Sequence, residues 1–169
     1  MEQVLYFDSS REAYEADAAV LACPDARFEL VLRKLLRRLG LEHPDVFRIV
    51  GGPKALSSGS DAEQSFVIDQ LRASRRLHRT HRLLLVAHSD CGAYGGLCAR
   101  FDGNRHRERG FHEVELSRAA TAVSASLGDW QIDQCFIDFE RVLYRPAEPC
   151  RRARHQNDLT ASSRERDDL

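Results

Sequence analysis

The sequence predicts an α/β fold with a parallel β-sheet core flanked by helices. Three observations carry that prediction. Residues 83–87 form an unbroken apolar run with no polar alternation, as in strands buried on both faces. Shorter strand-like runs at 18–22, 46–50 and 135–139 are separated by stretches with helical periodicity. Glycines stand where those helices and strands stop. Strands alternating with helices make right-handed parallel crossovers.

Taken in order, residues 1–17 are polar with only Tyr6, Phe7 and Tyr14 as large anchors, and a short helix or arm is expected there. Residues 18–22 read as a buried strand that runs into Cys23, Pro24, Asp25, Ala26 and Arg27. Leu32, Leu35, Leu36 and Leu39 recur at helical spacing with basic residues between them, and Gly40 ends that helix. Residues 46–50 are β-branched and aromatic and lead into Gly51 and Gly52, as a second strand would. Ser60 followed by Glu63 is a capping-box signature, opening a helix to about Arg79. The arginines at its end suit the negative pole of the helix rather than a nucleic-acid patch. After the central strand a short helix is expected over 94–101, a charged loop over 102–110, a helix over 111–127, and a final strand within 132–143. From Arg145 the chain is rich in Pro, Arg, Ser and Asp, which predicts a single domain over 1–144 and a mobile tail over 145–169.

The bulk properties narrow the class of function. With 169 residues, one domain with a sizeable core is expected. A net charge of -1 offers nucleic acid or an anionic membrane no global attraction. No apolar span reaches across a bilayer and Met1-Glu2-Gln3 opens no signal peptide, so a cytoplasmic protein is expected. Five cysteines at irregular spacing argue against a disulfide framework and leave thiols free for metal. No Lys-Ser or Lys-Thr pair follows Gly51-Gly52 or Gly95-Gly96, so neither is a phosphate loop.

Chemistry gathers at strand ends, where parallel sheets place their sites. Cys23 follows the first strand, and His88 and Cys91 follow the central one. If those strands are neighbours, two sulfurs and one imidazole converge, which is the ligand set of a zinc with one exchangeable position. Asp25 lies close enough to reach that position, and Arg27 can hold its carboxylate with paired hydrogen bonds. Cys98 and Cys135 are expected in the core. His43, His78, His81, His106, His112 and His155 have polar or basic neighbours and are expected at the surface.

Cys23-x-Asp25-x-Arg27, Arg48-x-x-Gly51 and His88-x-x-Cys91-Gly92 together resemble the signature of the β-class carbonic anhydrases, in that order and with Cys23 and His88 65 residues apart. The resemblance implies that fold. It implies Zn2+ held by Cys23, His88 and Cys91, with Asp25 and Arg27 as a catalytic dyad. It also implies reversible hydration of carbon dioxide to bicarbonate by a zinc-bound hydroxide, in a homodimer or higher homo-oligomer. Two other readings keep the same site: a hydrolase of carbonyl sulfide or carbon disulfide, and a non-catalytic zinc-binding relative. Ile49 replaces an asparagine usual in that family, and Gln3 is the only glutamine before Cys23.

Overall fold

The computed structural model describes residues 3–147. Its centre is a five-stranded sheet built from β1 (Ala19–Ala22), β2 (Asp45–Arg48), β3 (Arg82–His88), β4 (Gln131–Ile137) and β5 (Val142–Arg145). The spatial order is β2-β1-β3-β4-β5. The first four strands run parallel, and β5 folds back antiparallel on β4. The central apolar run lies where its composition requires: residues 83–88 of β3 are all buried, with a strand on each side.

Alternation along the strands sends side chains to two separate cores. Leu21, Leu83, Leu85 and Phe136 face α2 (Lys54–Ser57), α3 (Asp61–His78) and α5 (Arg105–Leu127), where Leu56, Leu71, Leu116 and Val123 meet them. Val20, Leu84, Val86 and Ile137 face the other way, against Leu32, Leu35 and Leu36 of α1 (Glu29–Arg38). Each such leucine, moved from water into the core, contributes about 2 kcal/mol.

Helix α3 starts as its sequence dictates. The Ser60 hydroxyl accepts from the Glu63 N–H while the Glu63 carboxylate accepts from the Ser60 N–H, and Arg79 closes the helix in the left-handed conformation at φ 56°.

Of the two forms expected for the amino-terminal stretch, helix or arm, residues 3–18 show no helix. Three expectations need correction. The charged loop over 102–110 is mostly the start of α5, because Asn104 caps the N–H groups of His106 and Arg107 and the charged residues that follow are good helix formers. The final strand is a hairpin, β4 and β5, turned by Asp138, whose carboxylate accepts from the N–H groups of Glu140 and Arg141. The helix over 94–101 is a 3-10 turn at Gly92–Tyr94 followed by α4 (Leu97–Phe101). Strand β5 ends at Arg145, and residues 148–169, with Cys150, His155 and most of the expected tail, lie outside the described residues.

Candidate metal centre

Strands β1 and β3 pair directly, with Ala22 opposite Val86, so both release their chains at the same edge of the sheet. Cys23 follows β1 and His88 closes β3. A turn through Asp90, at φ 55°, then brings Cys91 back beside them. The ligand atoms of Cys23, His88 and Cys91 all lie within 4.8 Å of one another. A tetrahedral zinc would set its ligands about 3.5–4 Å apart, so a small contraction closes the group.

The turn after β2 makes this convergence possible. Gly52 packs on the ends of both strands at φ 55°, and a Cβ there would stand 3.0 Å from the Cys23 nitrogen and 3.1 Å from the Val86 oxygen. A side chain there would press on the backbone of both strands in a conformation that favours glycine. Arg48, at the end of β2, donates to the Cys23 carbonyl at 3.0 Å and pairs with Glu29, so it fixes the backbone of the first cysteine.

The histidine is set up as a ligand. His88 Nδ1 bonds the Ser89 carbonyl at 2.8 Å and must donate to it, which leaves the lone pair on Nε2. That nitrogen is buried and has no hydrogen-bond partner. Burial pushes the His88 pKa down, keeping the imidazole neutral. Burial also pushes the Cys91 thiol up to about 11, with Cys23 beside it acting in the same direction. A buried Cys91 thiol this reluctant to ionise awaits a cation, which favours the thiolate form. The unpartnered nitrogen, the two sulfurs and the short spacing together fit a soft divalent ion.

Asp25 and Arg27 stand beside that group. Arg27 Nη2 donates to Asp25 Oδ2 at 2.6 Å, and Nε donates to Oδ1 at 3.0 Å. The Arg27 backbone N–H adds a third bond to Oδ1 at 3.0 Å. The Arg27 side chain is the main reason the Asp25 carboxyl is held down to about 2. Asp25 Oδ2 lies 4.0 Å from His88 Nε2, so the carboxylate faces the ligand cluster. Arg27 extends to Asp90, donating from Nη1 to Oδ2 at 3.0 Å and from Nη2 to the carbonyl at 3.1 Å.

All five residues singled out from the sequence therefore meet at one sheet edge. Neither Asp90, which accepts from Arg27, nor Glu108, which accepts from the Ser89 hydroxyl and the Asp90 N–H, was read from the sequence. Asp90 sits inside the His88 to Cys91 motif, where its position was the available signal. Glu108 lies in a charged run with nothing to mark it. His112 is wholly buried rather than exposed, against Tyr94, Phe111 and Phe136. His78 is half-buried, bonded to Asp45 at 2.8 Å, while His43, His81 and His106 are exposed as expected. Cys98 is exposed, because the short α4 turns Phe101 inward instead, and Cys135 is buried as expected.

A parallel-dominated sheet carrying two cysteines and a histidine at one edge gives this α/β protein a β-carbonic anhydrase-like fold. Solved structures share the fold. The β-carbonic anhydrase isoform I of Trichomonas vaginalis aligns at 12% identity over 84% of this chain and 88% of its own, with a TM-score of 0.54. A carbonic anhydrase from Streptococcus mutans aligns at 19% identity over 81% and 87%, also with a TM-score of 0.54. A carbon disulfide hydrolase in its apo form is more distant, at 14% identity over 87% and 85% with a TM-score of 0.45. No curated protein sequence matches the chain significantly. The chain belongs to the family described as "Putative carbonic anhydrase", whose profile matches residues 14–143.

Proposed function

We propose that this protein is a zinc-dependent carbonic anhydrase that interconverts carbon dioxide and water with bicarbonate and a proton. The observation that carries the proposal is the buried, unpartnered Nε2 of His88, grouped within 4.8 Å with the sulfurs of Cys23 and Cys91 and facing the Asp25 carboxylate at 4.0 Å. Cys23, His88 and Cys91 would hold the ion and leave one position exchangeable. When bound, zinc supplies a nucleophile near neutral pH by lowering the pKa of a coordinated water.

The chain's own residues do the rest. Asp25, kept ionised by Arg27, would accept a hydrogen bond from a group at the exchangeable position and so orient it toward the substrate. A carboxyl held near 2 does not retain the released proton, which passes on to buffer. The Phe28 ring packs on His88 with centroids 4.6 Å apart, and Phe28 meets Phe139 at 5.3 Å. Phe28 is buried and gives the histidine an apolar neighbour on that side. The reading places the working domain in residues 1–144 of a cytoplasmic protein without nucleic-acid or membrane partners. Among the described residues, no helix is long and apolar enough to cross a membrane. Assembly as a homodimer or higher homo-oligomer is supported by exposed apolar side chains on edge strand β2 and on the amino-terminal stretch, such as Val46 and Leu5.

The test is metal analysis joined to stopped-flow hydration with a pH indicator. Purified protein should carry about one zinc per chain and speed hydration well above background. Cys91→Ala should abolish the zinc, whereas Asp25→Ala should keep it and lose about 100-fold or more in rate. Zinc-loaded protein without hydration activity would sink the proposal. Faster turnover of carbonyl sulfide or carbon disulfide in parallel assays would move the substrate assignment to those compounds.

A further inference from the structure

Glu108 is a charged residue only 1% exposed, carried into the interior in the first turn of α5. Both its oxygens are engaged by the loop between two ligands of the metal centre. Oε2 accepts from the Ser89 hydroxyl at 2.5 Å, and Oε1 accepts from the Asp90 backbone N–H at 2.6 Å. We propose that Glu108 is the positioning residue of the centre, holding the His88 ring and the Asp25–Arg27 pair in working orientation through this loop. The proposal rests on the reading of the site as a metal centre with an exchangeable position.

The peptide joining Ser89 to Asp90 carries the argument. Its carbonyl takes the His88 Nδ1 hydrogen bond at 2.8 Å, and its N–H gives the Glu108 bond. A peptide unit is planar and rigid, so the two bonds lie on opposite sides of one plate. Any rotation that released the plate from Glu108 would also turn the carbonyl away from His88. The Ser89 N–H, bonded to the Ile137 carbonyl at 2.8 Å, secures the preceding peptide to β4. Glu108 supplies the contact on the α5 side.

The same contact reaches the dyad. Asp90 stands at φ 55°, a conformation that costs most residues energy and needs outside support. From there Oδ1 accepts from the Leu97 N–H at 2.9 Å, and Oδ2 and the carbonyl hold the two terminal nitrogens of Arg27. Arg27 in turn grips Asp25. With Asp90 displaced, Arg27 loses its second anchor, and Asp25 faces the ligand cluster with its charge less well compensated. An anion arriving at the exchangeable position would then meet repulsion.

Cobalt(II)-substituted full-length protein, titrated with azide and followed by its visible absorption bands, tests this without reference to turnover. Glu108→Ala should still bind about one cobalt per chain but weaken azide binding at least tenfold. Glu108→Gln, whose amide can accept from Asp90 and donate to Ser89, should stay within about threefold of the unaltered protein. Asp90→Asn keeps the left-handed turn and the Leu97 bond yet cuts the ion pair to Arg27, and it should match Glu108→Ala. It also serves as the deciding variant should Glu108→Ala not fold. Unaltered azide affinity in Glu108→Ala or Asp90→Asn overturns the proposal, as does a Gln variant as damaged as the Ala variant. A cobalt protein indifferent to azide before any substitution overturns it together with the open-site reading. Protein that shows the predicted azide differences but does not hydrate carbon dioxide refutes the anhydrase assignment alone.

Discussion

Replacing Gly52 with alanine isolates the packing that brings the two ligand-bearing strands together. At φ 55° an alanine incurs about 1–2 kcal/mol of backbone strain. Its Cβ would also stand 3.0 Å from the Cys23 nitrogen, 3.1 Å from the Ala22 carbonyl carbon and 3.1 Å from the Val86 oxygen. Ala22 and Val86 belong to the paired strands β1 and β3 and Cys23 directly follows β1, so these atoms yield only by moving backbone. Overpacking of this kind costs about 1–3 kcal/mol more. For a domain of this size the total should lower the melting temperature by about 5–15 °C in calorimetry. Gly40 is the internal control, since at φ 69° it has nothing within 4 Å and Gly40→Ala carries the strain alone, about 2–5 °C. The displaced Cys23 should also weaken zinc binding in Gly52→Ala while Gly40→Ala leaves it intact. Two variants melting within 2 °C of each other, with equal zinc content, would refute the reasoning.

His112→Phe should stabilise the protein at neutral pH by about 1–2 kcal/mol in urea titrations, because both ring nitrogens of this buried histidine lack partners. The same variant should flatten the acid response. Burial first, and the neighbouring His88 second, push His112 down to about 4, whereas the unfolded chain takes up its proton near 6.5. Between those values the unfolded state binds more protons, so this residue removes stability as pH falls from 6.5 to 4, by about 3 kcal/mol in all. Parallel stability curves for the two proteins over that range would contradict this. Ser60→Ala should remove the reciprocal cap of α3 and cost about 1 kcal/mol without altering zinc content, and an unchanged urea midpoint would count against it.

The legible parts of the chain were those whose information is local. Residues 83–87 show their burial directly, because a strand covered on both faces has no polar side to alternate with. Cys23, Asp25 and Arg27, and likewise His88 and Cys91, were legible because each group spans at most five consecutive residues next to a strand end. The illegible parts are settled by contacts distant in sequence. On α5, Glu108, His112 and Glu115 fall on one helical face and are residue types that ordinarily stay at the surface, yet each is at most 2% exposed. Ser89 and the Asp90 backbone occupy the first, aromatic rings enclose the second, and Ser57 and Ser58 bond the third. No property of α5 taken alone reveals those partners. Strand β5 was missed for a related reason. Its four residues are only partly covered, and it exists by pairing with β4 across a tight Asp138 turn.

The register of β1 against β3 also bears on what holds the centre together. Backbone pairing of Ala22 with Val86 closes the long intervening chain through the sheet itself, with no ligand bond needed to do so. In a small zinc finger the metal drives folding, whereas here it would enter a finished cradle. Chelation should therefore empty the centre and leave the scaffold standing, ready to be reloaded.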